Sequence, residues 1–218
     1  MAVTAPRSSE KIRDAERSRA AILDAAERLF AERGFDAASL NDVAVAAGLS
    51  RGTPSYFFGS KEQLYEAVLE CVFAEREEAT RDAFRPLVEW SAGESGGSLE
   101  KALAAAASGY MDFLLRRPSF LRLLQREELA GAGRLRGAPR DSHAIEDAFG
   151  GLRAVARKRG LRAFRVADAV LLFVSLTFSP LTQRTTFMAS LGHDLDDPKV
   201  RRRHVKLVAE QLRHFVEG

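Results

Sequence analysis

Residues 39–64 read SLNDVAVAAGLSRGTPSYFFGSKEQL, and the grammar of this stretch decides the fold. Ser39 is a good helix N-cap, and Asp42 three residues later completes a capping-box pattern. Leu40, Val43, Ala44 and Ala47 recur at helical spacing. Gly48 stops that helix, because glycine enters a left-handed conformation at little cost, and Leu49 is placed to plug the turn. Ser50 is expected to cap a second helix that runs through Tyr56 and Phe57 and ends at Gly59. Ser60, with Gln63 three residues on, caps the next helix. Two short helices about a tight turn, followed by a freshly capped third, form a helix-turn-helix. The second helix of such a unit is the one that enters a DNA major groove.

Outward from this stretch nearly every segment reads helical. Ser18 to Arg33 places Ile22, Ala26, Leu29 and Phe30 on one face, and Gly34 closes it. The helix opening at Ser60 carries Leu64, Val68, Leu69, Val72 and Phe73, and the spacing predicts an end near Pro86. Ser98 opens an alanine-rich helix with Leu99, Leu103, Tyr110, Phe113 and Leu114. Pro118 starts another with Phe120, Leu121, Leu123 and Leu124. Ala130 to Arg140, rich in Gly and Arg, reads as a mobile loop. A helix is expected from about Ser142 to Arg159. An apolar region from Phe164 to Leu191 follows, divided by Pro180. Asp197 or a neighbour starts a last helix whose seam carries His204, Leu207, Val208, Gln211, Leu212 and Phe215. No alternating strand pattern occurs, so the expected class is all-α. The expected domains are a helix-turn-helix domain over residues 1–60 and a helical body over residues 61–218.

The composition is that of an ordinary globular chain: 218 residues, 46% hydrophobic, 29% charged, net charge +3. The single cysteine, Cys71, excludes an intrachain disulfide and points to a reducing compartment. Its place on an apolar stripe predicts a small buried hydrophobe. The longest apolar run, Val166 to Phe178, is too short for a bilayer, which takes about 20 residues. With no signal-peptide core, a cytoplasmic protein with no membrane partner is expected. No nucleophile elbow, phosphate loop, dinucleotide turn or zinc-spaced cysteine pattern occurs, so an enzyme is not expected. His193, Asp194 and Asp196 read as polar residues of a helix connection, and no metal or cofactor is expected.

The spaced pieces ILDAAERLFAERGF, AxxAGxS and YxFxSKExL resemble the tetracycline-repressor (TetR) family of bacterial transcriptional regulators. The resemblance covers Arg19 to Leu69. It implies an Ω-shaped homodimer with three N-terminal helices for DNA and a C-terminal body for ligand and dimerisation. Pro54 departs from the family, which more often has Leu or Ile there. A proline is tolerated only near a helix start, so a short, tightly started second helix is expected.

By motif position, Arg51, Gly52, Thr53 and Ser55 fall on the exposed start of the recognition helix. Arg51 is the candidate for base readout, since a guanidinium matches guanine O6 and N7. Tyr56 resembles the family tyrosine that reaches a phosphate. Lys61, Ser39, Asn41 and Ser50 are further candidates at helix starts, Phe58 is assigned to the core, and Phe57 is open between core and DNA. The polar arm Arg7 to Arg19 reads either as a minor-groove element or as a solvated tail. Residues 115–165 hold thirteen Lys/Arg against five Asp/Glu, which reads as a solvated basic surface.

Val170, Val174 and Phe178, with Leu207, Val208, Gln211, Leu212 and Phe215, are the expected dimer surface, as two helices from each subunit in the family. A two-fold pair of recognition helices calls for an inverted-repeat operator in double-stranded DNA. Tyr110, Phe113, Phe120, Leu124 and Phe173 are the candidates for a small-molecule effector site, with Asp112 and Gln125 as polar contacts. The expected function is therefore a ligand-responsive repressor. The rival is a DNA-binding protein controlled by a protein partner, or an architectural one, without a small-molecule effector.

Overall fold

A computed structural model describes residues 7–134 and 143–218. Among these residues the secondary structure is entirely helical, with no strand. The helices are α1 (Arg7–Arg33), α2 (Leu40–Ala46), α3 (Thr53–Phe58), α4 (Lys61–Ala92), α5 (Leu99–Arg116), α6 (Pro118–Leu129), α7 (His143–Val155), α8 (Val166–Thr182) and α9 (Pro198–Glu217). The expected all-α class is thus observed.

Three boundaries differ from those read in the sequence, and each has a physical reason. α1 begins at Arg7 rather than Ser18. Residues 11–17 are exposed, but this stretch contains good helix formers and no Gly or Pro, and Arg17 pairs with Asp14 across one turn. α4 continues through Pro86 to Ala92. The missing amide costs the helix one bond, yet Leu87 and Trp90 on the far side of the proline are buried and hold the helical course. α8 likewise runs through Pro180 to Thr182. Pro180 removes the donor that the Leu176 carbonyl would have received, and His204 Nε2 on α9 occupies that oxygen at 2.8 Å. Part of the expected Ala130–Arg140 loop, residues 135–140, and the expected start of α7 at Ser142 lie outside the described residues.

The chain divides into two compact units. The first runs up to Phe73 and takes in the segment from Ser119 that contains most of α6, so it extends beyond residue 60. Its core is Ile22, Ala25, Ala26, Leu29 and Phe30 of α1 with Val43, Ala44, Leu64, Tyr65 and Val68. Phe30 and Tyr65 meet edge to face at 4.8 Å, a geometry favoured by the ring quadrupoles. α6 is tied to α1 by polar contacts. Arg126 Nε donates to the Ala31 carbonyl at 2.9 Å and its Nη2 to Glu32 O, supplying donors to carbonyls that the end of α1 leaves without helical partners. Ser119 bonds Glu27, and the Tyr65 hydroxyl donates to the buried Glu127 carboxylate at 2.7 Å.

The second unit holds α4 from Ala74, then α5, α7, α8 and α9. α5 lies against α9 and α8, and α7 against α8. An aromatic cluster of Phe84, Tyr110, Phe149 and Phe173 fills its centre, with Phe84 and Phe173 rings 4.8 Å apart and Tyr110 5.4 Å from Phe173. α5 and α4 approach closely at Gly109, where an added Cβ would stand 2.9 Å from the Ala83 methyl. Cys71, expected to be buried, is exposed on α4; the apolar stripe of that turn runs through Leu69, Val72 and Phe73 instead.

Candidate nucleic-acid interface

The α2–turn–α3 unit is built by short-range bonds that the sequence spells out. The capping box at Ser39 is complete: Asp42 N–H donates to Ser39 Oγ at 3.1 Å, and Ser39 N–H donates to Asp42 Oδ2 at 3.1 Å. These Ser39 bonds, with Arg33 nearby, hold the Asp42 carboxyl below its usual range. At the other end Gly48 takes φ +69°. Its N–H bonds Val45 O at 3.1 Å while Leu49 N–H reaches Ala44 O at 2.9 Å, the paired bonds of a Schellman stop. Half-buried Leu49 follows directly.

The turn into α3 differs from expectation. α3 starts at Thr53 with Gly52 as its cap, so Arg51 and Gly52 precede the helix. Ser50 closes the turn rather than capping amides with its side chain. Its carbonyl accepts Thr53 N–H at 3.0 Å and its hydroxyl meets Thr53 Oγ1 at 2.7 Å. Pro54 explains the late start, because an amide-free residue fits only in the first turn. At six residues α3 is short, as Pro54 led us to expect. Pro54 and Phe58 are buried, whereas Arg51, Gly52, Ser55 and Tyr56 are exposed and Thr53 and Phe57 are half-buried. Tyr56 is 85% exposed, so its ring contributes little to the core. Asn41 is exposed on α2. The outward face of the turn therefore carries one guanidinium, two hydroxyl side chains on α3 and a phenol, a set suited to phosphates and base edges.

Ser60 and Gln63 form a second capping box at the start of α4, with Ser60 N–H on Gln63 Oε1 at 3.0 Å and Gln63 N–H on Ser60 Oγ at 3.2 Å. Lys61 is held from behind. Its Nζ donates to the Asp36 carbonyl at 3.2 Å and sits 4.4 Å from the Phe35 ring centroid. A second cation on this ring comes from far along the chain: Arg134 lies 4.1 Å from the same centroid and 3.3 Å from Asp36 Oδ1. Sequence reading passed over Arg126, Glu127 and Arg134, since no local pattern ties residues about a hundred positions apart.

The effector candidates are divided between the units. Tyr110, Phe113 and Phe173 are buried in the second, while Phe120, packed on Phe73 at 5.9 Å, and half-buried Leu124 belong to the first. Burial raises the Tyr110 phenol. A groove of about 540 Å³ in the second unit is lined by Ala79, Ala83, Pro86, Gly109 and Phe113 with Glu78 and Arg116; of the five candidates only Phe113 reaches it. Gln125 is exposed, and Asp112 faces Arg201 at 3.7 Å.

Among the candidate dimer residues, Val208 and Leu212 are fully buried inside the subunit. The α9 stripe turns toward α5, whose small residues let it approach, and these two positions are core. Leu207 and Gln211 are exposed, and Val170, Val174, Phe178 and Phe215 are half-buried. Exposed Leu171, at 67%, joins the α8 face. No described helix is long and apolar enough to cross a membrane.

Two sequence profiles match the chain. The one described as "Bacterial regulatory proteins, tetR family" covers residues 22–68, and "Tetracyclin repressor-like, C-terminal domain" covers residues 100–211. The chain belongs to the TetR family. A TetR-family chain is a DNA-binding transcriptional regulator, and the family is not enzymatic. Among similar proteins is the HTH-type transcriptional repressor NicS of Pseudomonas putida, 27% identical over 198 residues, which are 88% of each chain. A shorter match, 36% identical over 52 residues, is to the biofilm operon negative regulator IcaR of Staphylococcus aureus; it spans 24% of this chain and 28% of that one. Among solved structures, TetR-family regulators from Mesorhizobium loti and Marinobacter aquaeolei share the fold. Their TM-scores are 0.68 and 0.65, their identities 18% and 21%, and each alignment covers at least 93% of this chain and 98% of the other.

Proposed function

We propose that this TetR-family regulator is a repressor that binds an inverted-repeat operator as a homodimer and is released by a small-molecule effector. The observation that supports it best is the exposed set Arg51, Ser55 and Tyr56, with half-buried Thr53, presented by the turn and a short helix whose opposite side, Pro54 and Phe58, is anchored in the core. The repressor named among its relatives, similar over most of its length, favours the same sign of control. In this reading the first unit contacts DNA, with Ser39, Asn41, Ser50, Gly52, Phe57 and Lys61 adding backbone contacts. α8 and α9 pair across the two-fold through Val170, Leu171, Val174, Phe178, Leu207 and Gln211. The effector favours a body conformation that lowers operator affinity.

The test is fluorescence anisotropy with the DNA upstream of the regulator's own gene, combined with light scattering for the oligomeric state. A dimer that binds one symmetric segment and loses affinity on adding one compound from a metabolite library is the expected result. A monomer, or affinity equal for all duplexes, overturns the reading.

A further inference from the structure

The connection between α8 and α9 brings two histidines together. His193 Nε2 lies 3.2 Å from His204 Nδ1, with ring centroids 5.1 Å apart and planes inclined by 70°. His204 is 5% exposed. Its other nitrogen, Nε2, faces the Leu176 carbonyl at 2.8 Å. A carbonyl oxygen only accepts, so Nε2 carries a proton, and in that tautomer of the imidazole the Nδ1 lone pair is directed toward His193.

We propose that His193 Nε2 and His204 Nδ1 form a binding site for one divalent transition metal ion of the zinc type. Two imidazole nitrogens at 2.0–2.1 Å from a tetrahedral ion stand about 3.3 Å apart, which matches the observed separation. The same separation is at the long end for a direct hydrogen bond. The carbonyl behind His204 is the partner that metal-bound histidines use to fix their tautomer, and here Pro180 leaves it without a helical donor. Imidazole pairs suit Zn²⁺, Ni²⁺ and Cu²⁺ rather than Mg²⁺ or Ca²⁺. Among the described residues no group of three His, Cys, Asp or Glu side chains forms a site, so water completes the coordination and the affinity is modest. The bound ion ties the α8–α9 connection to α9 and, through Leu176, to α8.

Tag-free protein is titrated with ZnCl₂ by calorimetry and with Co²⁺ by visible absorption. The expected result is one ion per chain, with cobalt bands of nitrogen–oxygen coordination. His193→Ala, at a partly exposed position, weakens binding at least tenfold while leaving helicity unchanged, and a His143→Ala/His214→Ala variant keeps the wild-type affinity. Zn²⁺ raises Tm in the wild type and not in His193→Ala. No uptake by the wild type, or equal uptake by wild type and His193→Ala, overturns the proposal and leaves the pair a plain hydrogen bond.

Discussion

His204 Nε2 stands 2.8 Å from the carbonyl oxygen of Leu176, the oxygen that Pro180, four residues further along α8, leaves without its helical donor. A defect in one helix is therefore filled from another. His204→Phe leaves that part-buried oxygen unpaired and is expected to cost about 1–3 kcal/mol. Pro180→Ala in the same background returns an amide to Leu176. The double variant is then less destabilised than the sum of the singles, as read in a denaturant double-mutant cycle.

His193 makes stability depend on pH. Its folded pKa is lowered from 6.5, first by burial and then by His204 and Arg203. The unfolded chain thus binds more protons as pH falls below about 6.5, so stability is complete above that value and declines as pH drops through the folded pKa. Denaturation midpoints from pH 8 to pH 5 are expected to fall in the wild type, and the slope below 6.5 is expected to flatten in His193→Ala. Equal slopes would remove His193 from the account.

Arg51 and Lys61 are expected to differ in kind. Arg51→Ala removes a free guanidinium from the turn before α3 and relaxes base preference at one position of each half-site, by about 1–3 kcal/mol. Lys61→Ala weakens all duplexes alike and lowers the salt slope by about one. Because Lys61 also bonds the Asp36 carbonyl and covers Phe35, it lowers Tm as well, whereas Arg51→Ala does not. Binding to a panel of mutated operators, alongside thermal melts, separates the two.

Gly109 tests the closeness of α4 and α5. Alanine is the better helix former by about 1 kcal/mol, yet its Cβ would stand 2.9 Å from the Ala83 Cβ and 3.1 Å from the Ala83 Cα. Overpacking of this kind costs about 1–3 kcal/mol, so Gly109→Ala is expected to destabilise. Gly150→Ala, with open space around it, is the control and is expected to stabilise.

Much of the helix-turn-helix was legible because its signals are local. Ser39 and Asp42, Gly48 and Leu49, and Ser60 and Gln63 act over three to five residues, and each forms the bond its spacing announces. Pro54 announced a short recognition helix for the same reason. Two of the misread ends, at Pro86 and Pro180, are places where a local rule met an influence from elsewhere. At Pro180 that influence is the imidazole of His204, 24 residues away, and no pattern within α8 signals it.

The sequence by itself determined the all-α class, the order of the helices, the turn between α2 and α3 and the family, since periodicity and caps depend on neighbours along the chain. Only the tertiary structure decided that Val208 and Leu212 face inward while Leu207 does not, that α6 belongs with the first unit through Arg126 and Glu127, and that His193 meets His204. Those outcomes depend on which surfaces exclude water from one another, and one amphipathic stripe is equally suited to a partner in its own subunit or in the next.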